Sequence, residues 1–401
     1  MSRKFFFPYE HGEEVLKQLS DKSPLTPFHP VVLTFAQALS QRFVRMRQYP
    51  EIIALGFWMR KASMGAMQQQ WKQDTTGRIM KARGTVFHIA PSNVDTIFIY
   101  SWILSLLAGN RNIIRLSNKE QAQQHILLQE IVSELAKPAY QELAERNVIL
   151  TYEHNDAITA ELSGMCHVRV IWGGDATVNT VRRIPLLPVA SELVFPDRFS
   201  LSLMKAEACN ELEQTAFVQL VQQFYNDAYW FDQLACSSPR LIVWHGDHEE
   251  VKRAQDRFWR TLEEVHRDKA SELLPALQVQ KLTTGLWLAA DQEVTEMVNR
   301  PAYVRVMLDH VKADVRERHC GGGFFMEMIV EEISHLLPIL NDKDQTLSYF
   351  GYNKVELMEL AANISDRGID RIVPIGKALD FQETWDGQSF LRSFTREIVI
   401  I

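Results

Sequence analysis

The sequence predicts an α/β protein with two sheet domains, the first of them built on an open parallel sheet. Strand-like and helix-like patterns begin to alternate at Gly84 and continue in β-α-β-α order to about residue 181. A proline-punctuated stretch at 185–195 then leads into a second series of short apolar runs. Parallel strands that are joined by helices form an open sheet covered on both faces, so this order indicates two α/β domains.

Composition and charge narrow the class of protein. The chain has 401 residues, of which 46% are hydrophobic and 23% charged, as in soluble globular proteins with a sizeable core. The formal net charge is −7 and there is no long basic block, which argues against a nucleic-acid-binding surface. The longest apolar run, at 97–108, is too short for a membrane span, and the run at 5–7 is too short for a signal peptide. We therefore expect a cytoplasmic protein.

The four cysteines are widely spaced and form no C-x-x-C pair: Cys166, Cys209, Cys236 and Cys320. This spacing argues against structural zinc and against a disulfide framework, and it suits a reducing compartment. No metal site is expected.

The elements follow in order along the chain. Residues up to about 76 show helical patterns at 29–46 and 51–71, which we interpret as packing or assembly segments. The first domain then has predicted strands at 85–90, 112–117, 147–152 and 167–172, with helices at 118–135, 156–162 and 175–181 and one ending near 107. The second has predicted strands at 199–204, 240–244, 303–308 and 324–330, with helices at 207–225, 247–266 and 354–364. The resulting division is a helical region at 1–76, a sheet domain at 77–198, a second domain at 199–375 and a C-terminal segment at 376–401 that ends in a strand.

Polar and glycine residues follow the predicted strands of the first domain. In open parallel sheets, ligands bind at the carboxyl ends of the strands, near helix N-termini. The candidates at those ends are Pro91, Ser92 and Asn93, then Arg115 with Ser117, then Gly173 and Gly174. Each has a plainer interpretation, in which the glycines are a turn, Ser117 is a helix cap and Arg115 is a surface charge. No G-x-G-x-x-G is present, so no motif shows dinucleotide binding.

Cys236 is the candidate nucleophile. It lies between an amphipathic helix and the short apolar strand at 240–244, and Ser237 and Ser238 follow it as hydrogen-bond donors. A thiol acts as a nucleophile when it is partly exposed and its thiolate is stabilised by nearby donors or positive charge. The alternative is a small buried hydrophobe, since free cysteine is among the most buried residue types. His88 has a similar ambiguity, between a residue near the site and a packed core histidine.

Several motifs together resemble one known family. They are HIAPSN at 88–93, AGN at 108–110, RLS at 115–117, WGG at 172–174, ACSSP at 235–239, RIVPIG at 371–376 and WDG at 385–387. The set is similar to the acyl-CoA reductases typified by the fatty-acid reductase subunit of bacterial bioluminescence, a divergent branch of the aldehyde dehydrogenase superfamily. The resemblance runs from about residue 84 to the C-terminus. It implies an aldehyde dehydrogenase-like fold, with a dinucleotide-binding domain followed by a catalytic domain.

The resemblance also implies roles for individual residues. Cys236 matches the nucleophile, with Gln233 before it in the superfamily pattern, and Asn93 matches the asparagine of the oxyanion hole. Arg115 and Ser117 match the adenosine-ribose site, Gly173 and Gly174 the turn beside the pyrophosphate, and Glu332 the glutamate on the nicotinamide ribose. The Phe-Gly-Pro that usually follows that glutamate is missing here.

Two departures from the superfamily pattern bear on the chemistry. Hydrolytic relatives carry a general-base glutamate in Glu-Leu-Gly-Gly, whereas this chain reads ELVF at 192–195 and keeps only Glu192 and the leucine. Without an active base, an acyl-cysteine survives long enough to be reduced, so the change favours thioester chemistry. Asn118 stands where NAD-preferring relatives often have a glutamate. With Arg115 nearby, this suits a 2′-phosphate and favours NADPH over NADH.

The expected function is NADPH-dependent reduction of an acyl thioester to the aldehyde through an acyl-cysteine. The alternatives are aldehyde oxidation and a cofactor-free cysteine acyltransferase or thioesterase; a non-catalytic scaffold is a third class. The acyl donor is expected to be acyl-CoA or an acylated partner such as an acyl-protein synthetase, by resemblance, and we expect a homo-oligomer.

Overall fold

The structure, a computed structural model, describes residues 3–91, 96–118, 122–269, 275–291, 294–365 and 367–401. The chain folds into two units, Met1–Asp197 with Phe381–Ile401, and Arg198–Asp380. The N-terminal helices, predicted as a region of their own, belong to the first unit. Residues 376–380, predicted in the C-terminal segment, belong to the second unit.

The first unit contains a mixed sheet with helices around it. Its strands up to residue 197 are β1 (Lys4–Phe7), β2 (Ile79–Ala82), β3 (Thr85–Ile89), β4 (Arg111–Arg115), β5 (Asn147–Thr151), β6 (Val168–Trp172) and β7 (Ser191–Phe195). Its helices over the same range are α1 (Gly12–Gln18), α2 (Pro30–Phe43), α3 (Pro50–Trp58), α4 (Lys61–Asp74), α5 (Ile97–Leu107), α6 (Ala122–Leu135), α7 (Gln141–Ala144), α8 (Asp156–Gly164) and α9 (Asp175–Arg182).

The sheet of the first unit has the strand order β1-β5-β4-β3-β6-β7. All its neighbouring pairs are parallel except β1 with β5. The central strands β3, β5 and β6 are buried along their whole length, as expected for parallel strands with helices on both faces. The predicted β-α-β order therefore produces the parallel sheet that the sequence indicated.

Strand β1 departs from the prediction of a purely helical N-terminal region. Three consecutive phenylalanines at 5–7 make this segment apolar, and Phe7 is buried against the core. Aromatic residues favour strands, and here the segment pairs with β5 as an antiparallel edge. A run of four residues is too short for its periodicity to separate strand from helix.

The second unit contains another largely parallel sheet. Its strands are β8 (Phe199–Lys205), β9 (Leu241–His245), β10 (Val294–Asn299), β11 (Val304–Leu308), β12 (Phe324–Val330), β13 (Asp344–Phe350) and β14 (Arg371–Pro374). Its helices are α10 (Ala206–Glu211), α11 (Gln214–Tyr229), α12 (His248–Lys269), α13 (Pro275–Asp291) and α14 (Lys354–Ala362). The strand order is β10-β11-β12-β9-β8-β13-β14, in which β10 with β11 is the antiparallel pair.

The C-terminal segment returns to the first unit. It consists of β15 (Thr384–Trp385), β16 (Gln388–Ser389), α15 (Phe390–Ser393) and β17 (Thr395–Ile398). Strand β17 pairs with β2 as an antiparallel ribbon, with Thr395 opposite Ala82 and Ile398 opposite Ile79. The predicted final strand is therefore present, but it ends before the last three residues.

Candidate active site

Cys236 lies in the turn that connects α11 to β9 in the second unit. It is half-buried, while Ser237 and Ser238 behind it are buried. The Ser200 hydroxyl on β8 donates a 2.7 Å hydrogen bond to the Cys236 carbonyl, and it accepts one of 3.2 Å from the backbone N–H of Thr346 on β13. The backbone that carries the thiol is thus fixed by two neighbouring strands at the amino-terminal edge of the sheet.

Gln233 anchors the same turn through its side chain. It is fully buried, and its Nε2 donates to the carbonyls of Pro239 and Phe324 at 2.8 and 2.9 Å. Its Oε1 accepts from the backbone N–H groups of Gly323 and Phe324 at 3.0 and 2.9 Å. Asp232 and Gln233 both have left-handed backbone conformations, with φ of 50° and 61°. The side-chain amide therefore makes hydrogen bonds to the start of β12 of the kind that the backbone of a neighbouring strand would make. These bonds stabilise the strained turn at residues 232–233.

The other three thiols have environments that oppose ionisation. Burial raises the pKa of Cys166 and of Cys209 to about 12. Burial also raises the pKa of the half-buried Cys320, although a hydrogen bond with Thr284 acts in the opposite direction. Since the thiolate is the nucleophilic form, Cys166 and Cys209 are structural residues.

Glu332 lies at the other edge of this sheet. It is exposed and follows β12, just before the 3₁₀ turn Ile333–Ile339. Strand β12 runs parallel to β9, with Val330 opposite His245, whereas Cys236 precedes β9. The five residues of β9 span about 16 Å. The structure therefore does not bring Glu332 to Cys236. This placement corrects the assignment of Glu332 to the nicotinamide ribose. That assignment depended on the two consecutive glutamates alone, without the Phe-Gly-Pro that completes the motif.

The cofactor candidates of the first unit meet at one sheet edge. Strands β4, β3 and β6 are parallel neighbours, so their carboxyl ends lie side by side. The backbone N–H of Ala90 donates to the carbonyl of Arg115 at 3.0 Å, which joins the first two of these ends. The candidates at this edge are Pro91 after β3, Arg115 and Ser117 at the end of β4, and Gly173 and Gly174 after β6. Ser92 and Asn93 lie outside the described residues.

Arg115 has donor capacity at this edge that the described residues leave unused. Its guanidinium lies over the ring of Tyr152, 5.1 Å from the centroid, and one terminal nitrogen donates to the Tyr152 carbonyl at 3.4 Å. Its Nε is buried and has no hydrogen-bond partner within the described parts of the chain. Burial lowers the pKa of Arg115, but a guanidinium keeps its charge in proteins. A stacked cation with an unsatisfied donor is a suitable partner for a phosphate group.

The glycine pair leaves the backbone open before α9. Gly174 caps this helix, and a Cβ placed on it would have no atom within 4 Å. A Cβ on Gly173 would approach Thr177 to 3.2 Å. A helix N-terminus with open backbone in front of it favours an anion such as a pyrophosphate. Arg115 and the glycine pair are therefore the described residues at this edge that could hold a dinucleotide.

Glu192 is engaged by two arginines. It lies on β7, directly opposite Arg169 of β6. Its Oε2 accepts from Nε and a terminal nitrogen of Arg169 at 2.8 and 2.5 Å, and its Oε1 accepts from Arg182 at 2.9 Å. Arg169 is buried and also donates to the carbonyl of Ile184 at 3.0 Å. Both carboxylate oxygens are therefore part of a structural ion-pair network.

His88 is a packed core histidine. It is buried on β3, with its ring nitrogens 2.9 Å from the Ser101 hydroxyl and 3.1 Å from Oδ1 of Asn112. Burial lowers the pKa of His88 to about 4, so the ring is neutral at ordinary pH. Within the described ranges, no cluster of three or more His, Cys, Asp or Glu side chains is arranged to hold a metal ion, and no helix has the length and apolarity to cross a membrane.

Comparison with known families now identifies the chain. The sequence model of the acyl-CoA reductase (LuxC) family matches residues 62–397. The chain belongs to this family. It is therefore an enzyme of the acyl-CoA reductase type, and the resemblance found in the sequence is confirmed. No curated protein matches the sequence.

Solved structures confirm the fold of this acyl-CoA reductase. Aldehyde dehydrogenase 21 from Physcomitrella patens, in complex with the product succinate, superimposes with a TM-score of 0.73 at 10% identity, over 97% of this chain and 89% of that one. Lactaldehyde dehydrogenase gives 0.65 at 11% identity, over 98% and 91%. AldH from Staphylococcus aureus, in a substrate-bound state, gives 0.61 at 13% identity, over 96% and 92%. The predicted aldehyde dehydrogenase-like fold is confirmed, and family and fold imply a nicotinamide cofactor.

The structure adds residues that the sequence did not suggest. Ser200 fixes the Cys236 carbonyl, Tyr152 supports Arg115, and Arg169 with Arg182 holds Glu192. Each of these contacts joins two different elements or turns of the chain, and none carries a local sequence pattern. The hydrophobic runs around Ser200 and Arg169 predicted strands, but only the strand order shows what these side chains face.

Proposed function

We propose that this enzyme reduces an acyl thioester to the aldehyde through a covalent acyl group on Cys236, with NADPH as the reductant. The observation that carries the proposal is the Cys236 turn, in which a half-buried thiol sits on backbone fixed by Gln233 and Ser200. Such a turn holds a nucleophile in one geometry, and positioning of this kind accounts for a large part of enzymatic rate enhancement.

The chemistry on the thiol has two stages. The Cys236 thiolate attacks the thioester carbonyl, the Cys236 backbone N–H holds the oxyanion, and the donor leaves as a thiolate that takes a proton from solvent. The family resemblance assigns the role of second oxyanion donor to the Asn93 amide. Removal of one oxyanion donor typically costs a factor of about 10²–10³ in rate. Hydride for the second stage comes from the reduced nicotinamide when it is bound. The carbonyl carbon of the acyl-cysteine accepts that hydride, and the resulting thiohemiacetal breaks its C–S bond to release the aldehyde and the thiolate.

The engaged state of Glu192 supports reduction over hydrolysis. An acyl-cysteine is hydrolysed only when a base activates water, and the residue at the base position of hydrolytic relatives is bonded to Arg169 and Arg182 here. The acyl group is thereby left for reduction. The same feature disfavours aldehyde oxidation to the acid, which ends in the same hydrolysis.

NADPH is preferred over NADH on the evidence of Arg115 and Asn118. The Arg115 guanidinium is stacked on Tyr152, and no described residue accepts a hydrogen bond from its Nε, so it suits a 2′-phosphate. Asn118 accepts a hydrogen bond from the Thr151 hydroxyl and brings no negative charge to this edge. A carboxylate at this position would repel the phosphate.

The acyl donor is proposed to be acyl-CoA or an acylated partner protein such as an acyl-protein synthetase. We also propose a cytoplasmic homo-oligomer. Light scattering on the purified protein tests the assembly, and a monomer at micromolar concentration would contradict it.

The test of function follows the absorbance of reduced nicotinamide while the protein turns over a panel of acyl-CoAs with NADPH or NADH. We expect NADPH oxidation with aldehyde as product, lost in Cys236→Ala and retained in Cys320→Ala. Cys320 is a matched control because it is the other half-buried cysteine. Reduction that persists in Cys236→Ala would refute the assignment. Thiol release without NADPH oxidation would instead support an acyltransferase or thioesterase.

A further inference from the structure

Four arginines surround one cavity on the C-terminal ribbon of the first unit. The cavity has a volume of about 280 Å³ and is bounded by β2, β17 and the residues that flank them. We call it the arginine groove after Arg78, Arg83, Arg392 and Arg396, which line it together with Thr75, Met80, Thr395 and Glu397.

The charges in the arginine groove are poorly balanced. Glu397 is the carboxylate among the lining residues, and it pairs with Arg78 at 3.4 Å. The Nε of Arg83 donates to the Ser393 carbonyl at 3.0 Å, so its two terminal nitrogens remain available as hydrogen-bond donors. The side chains of Arg392 and Arg396 are exposed and make no hydrogen bond or ion pair with any described residue. The lining residues therefore carry a formal charge of +3 in a chain whose formal net charge is −7.

From these features we infer that the arginine groove binds a compact phosphate-bearing anion. Guanidinium groups present paired N–H donors that match phosphate oxygens, and Arg is the preferred residue for such recognition. A volume of about 280 Å³ is close to the lower limit of ordinary small-molecule pockets, roughly 300 Å³, so the occupant is a phosphate or pyrophosphate group rather than a whole dinucleotide. That group is either a free anion or the phosphate-bearing end of a larger molecule such as CoA.

The test is a calorimetric titration of the full-length protein with inorganic pyrophosphate at low and moderate ionic strength. We expect binding that weakens as salt is added, and a loss of affinity of about tenfold or more in Arg392→Gln/Arg396→Gln, since two charge-assisted contacts are removed. The matched control is Arg45→Gln/Arg47→Gln, which removes the same charge from two exposed side chains of the same unit. Equal affinity in both double variants, or no binding by the native protein, would overturn the inference.

Two further arms complete the experiment. If CoA displaces pyrophosphate, the anion belongs to the acyl donor; if it does not, the groove takes a free phosphate-bearing anion. Should the double variant fold poorly, phenylglyoxal labelling of the native protein replaces it, and pyrophosphate should slow modification of Arg392 and Arg396 but not of Arg45 and Arg47. Equal labelling with and without pyrophosphate would count against the groove. None of these readouts needs turnover, so the outcome is independent of the reductase proposal.

Discussion

Gln233 allows the most direct test of how the turn that carries Cys236, the proposed nucleophile, is held. Its amide makes four hydrogen bonds to backbone groups at residues 239, 323 and 324, and the side chain is fully buried. In Gln233→Ala all four backbone groups lose a partner. A buried unsatisfied group costs about 1–3 kcal/mol, and water entering the vacated space would satisfy some of them. We expect the free energy of unfolding to fall by about 3–5 kcal/mol.

The same substitution should slow acylation even where the variant is fully folded. The turn at 232–233 has left-handed backbone at two non-glycine residues and depends on these contacts to persist. A displacement of about 1 Å at a nucleophile can reduce the rate about 10²-fold. The assay is the rate of acyl transfer to the protein, followed by mass spectrometry at a temperature well below the unfolding midpoint.

Two companion variants separate the causes. Gln233→Glu keeps the shape but sets an oxygen against the carbonyls of Pro239 and Phe324, so it should be destabilised as well. Gln69→Ala, at an exposed position of α4, should leave stability and acylation unchanged. If Gln233→Glu is as stable as the native protein, the hydrogen bonds do not hold the turn and the reasoning fails.

Three other predictions follow from the first unit. Glu192→Gln should lower the free energy of unfolding by about 3 kcal/mol in denaturant titrations, because it leaves the buried Arg169 without its counter-charge. The rate of NADPH-dependent reduction should stay within about twofold of the native rate, and a large loss of turnover would show that Glu192 acts in the chemistry. Arg115→Gln should raise KM for NADPH about tenfold while KM for NADH stays constant, since one charge-assisted phosphate contact is lost; equal effects on both would contradict a phosphate contact. The pKa of His88 is lowered by burial to about 4 from an ordinary value of 6.5, so the unfolded chain binds more protons and stability falls as pH drops from about 6.5 to 4, by about 3 kcal/mol at most. His88→Gln should flatten that slope in pH-dependent unfolding, and an unchanged slope would assign it to other groups.

The sequence predicted the central strands well for a simple physical reason. The observed β3, Thr85–Ile89, and β6, Val168–Trp172, each fall within one residue of their predicted ends. Both runs are mostly apolar and are interrupted only by His88 and Arg169 after their first apolar residues, and a strand buried on both faces is expected to be mostly apolar. The helix predicted over 207–225 was less accurate, since two helices occupy that region and a break at residues 212–213 separates α10 from α11.

Elements with weaker patterns were missed. Strand β10, Val294–Asn299, is an edge strand with mixed exposure, and its polar residues gave no alternation that would indicate a buried face. Edge strands are commonly kept polar, which removes the signal that predicts them. Helix α13 before it was also not predicted.

Only part of the candidate site could be predicted from the sequence. The sequence predicted that Cys236 lies between a helix and a strand. It also predicted that the candidate cofactor-binding residues follow β3, β4 and β6. Glu332 was assigned from a short motif, but only the parallel pairing of β12 with β9 shows that it lies at the far edge from the thiol. Local sequence determines which end of its own strand a residue occupies. Strand order determines which other residues meet it there.

Glu192 has the residue type of a general base but the contacts of a structural residue. The residue type is the one expected for a general base, and the sequence alone left that role open. Strand pairing places Arg169 directly opposite it, and α9 adds Arg182, so the carboxylate completes an ion-pair network with a buried guanidinium. Removing one partner of a buried pair is costly, so stability by itself is a reason for the glutamate to be present. A retained glutamate is therefore compatible with the proposed reduction of an acyl-cysteine, and its presence is not evidence for hydrolysis.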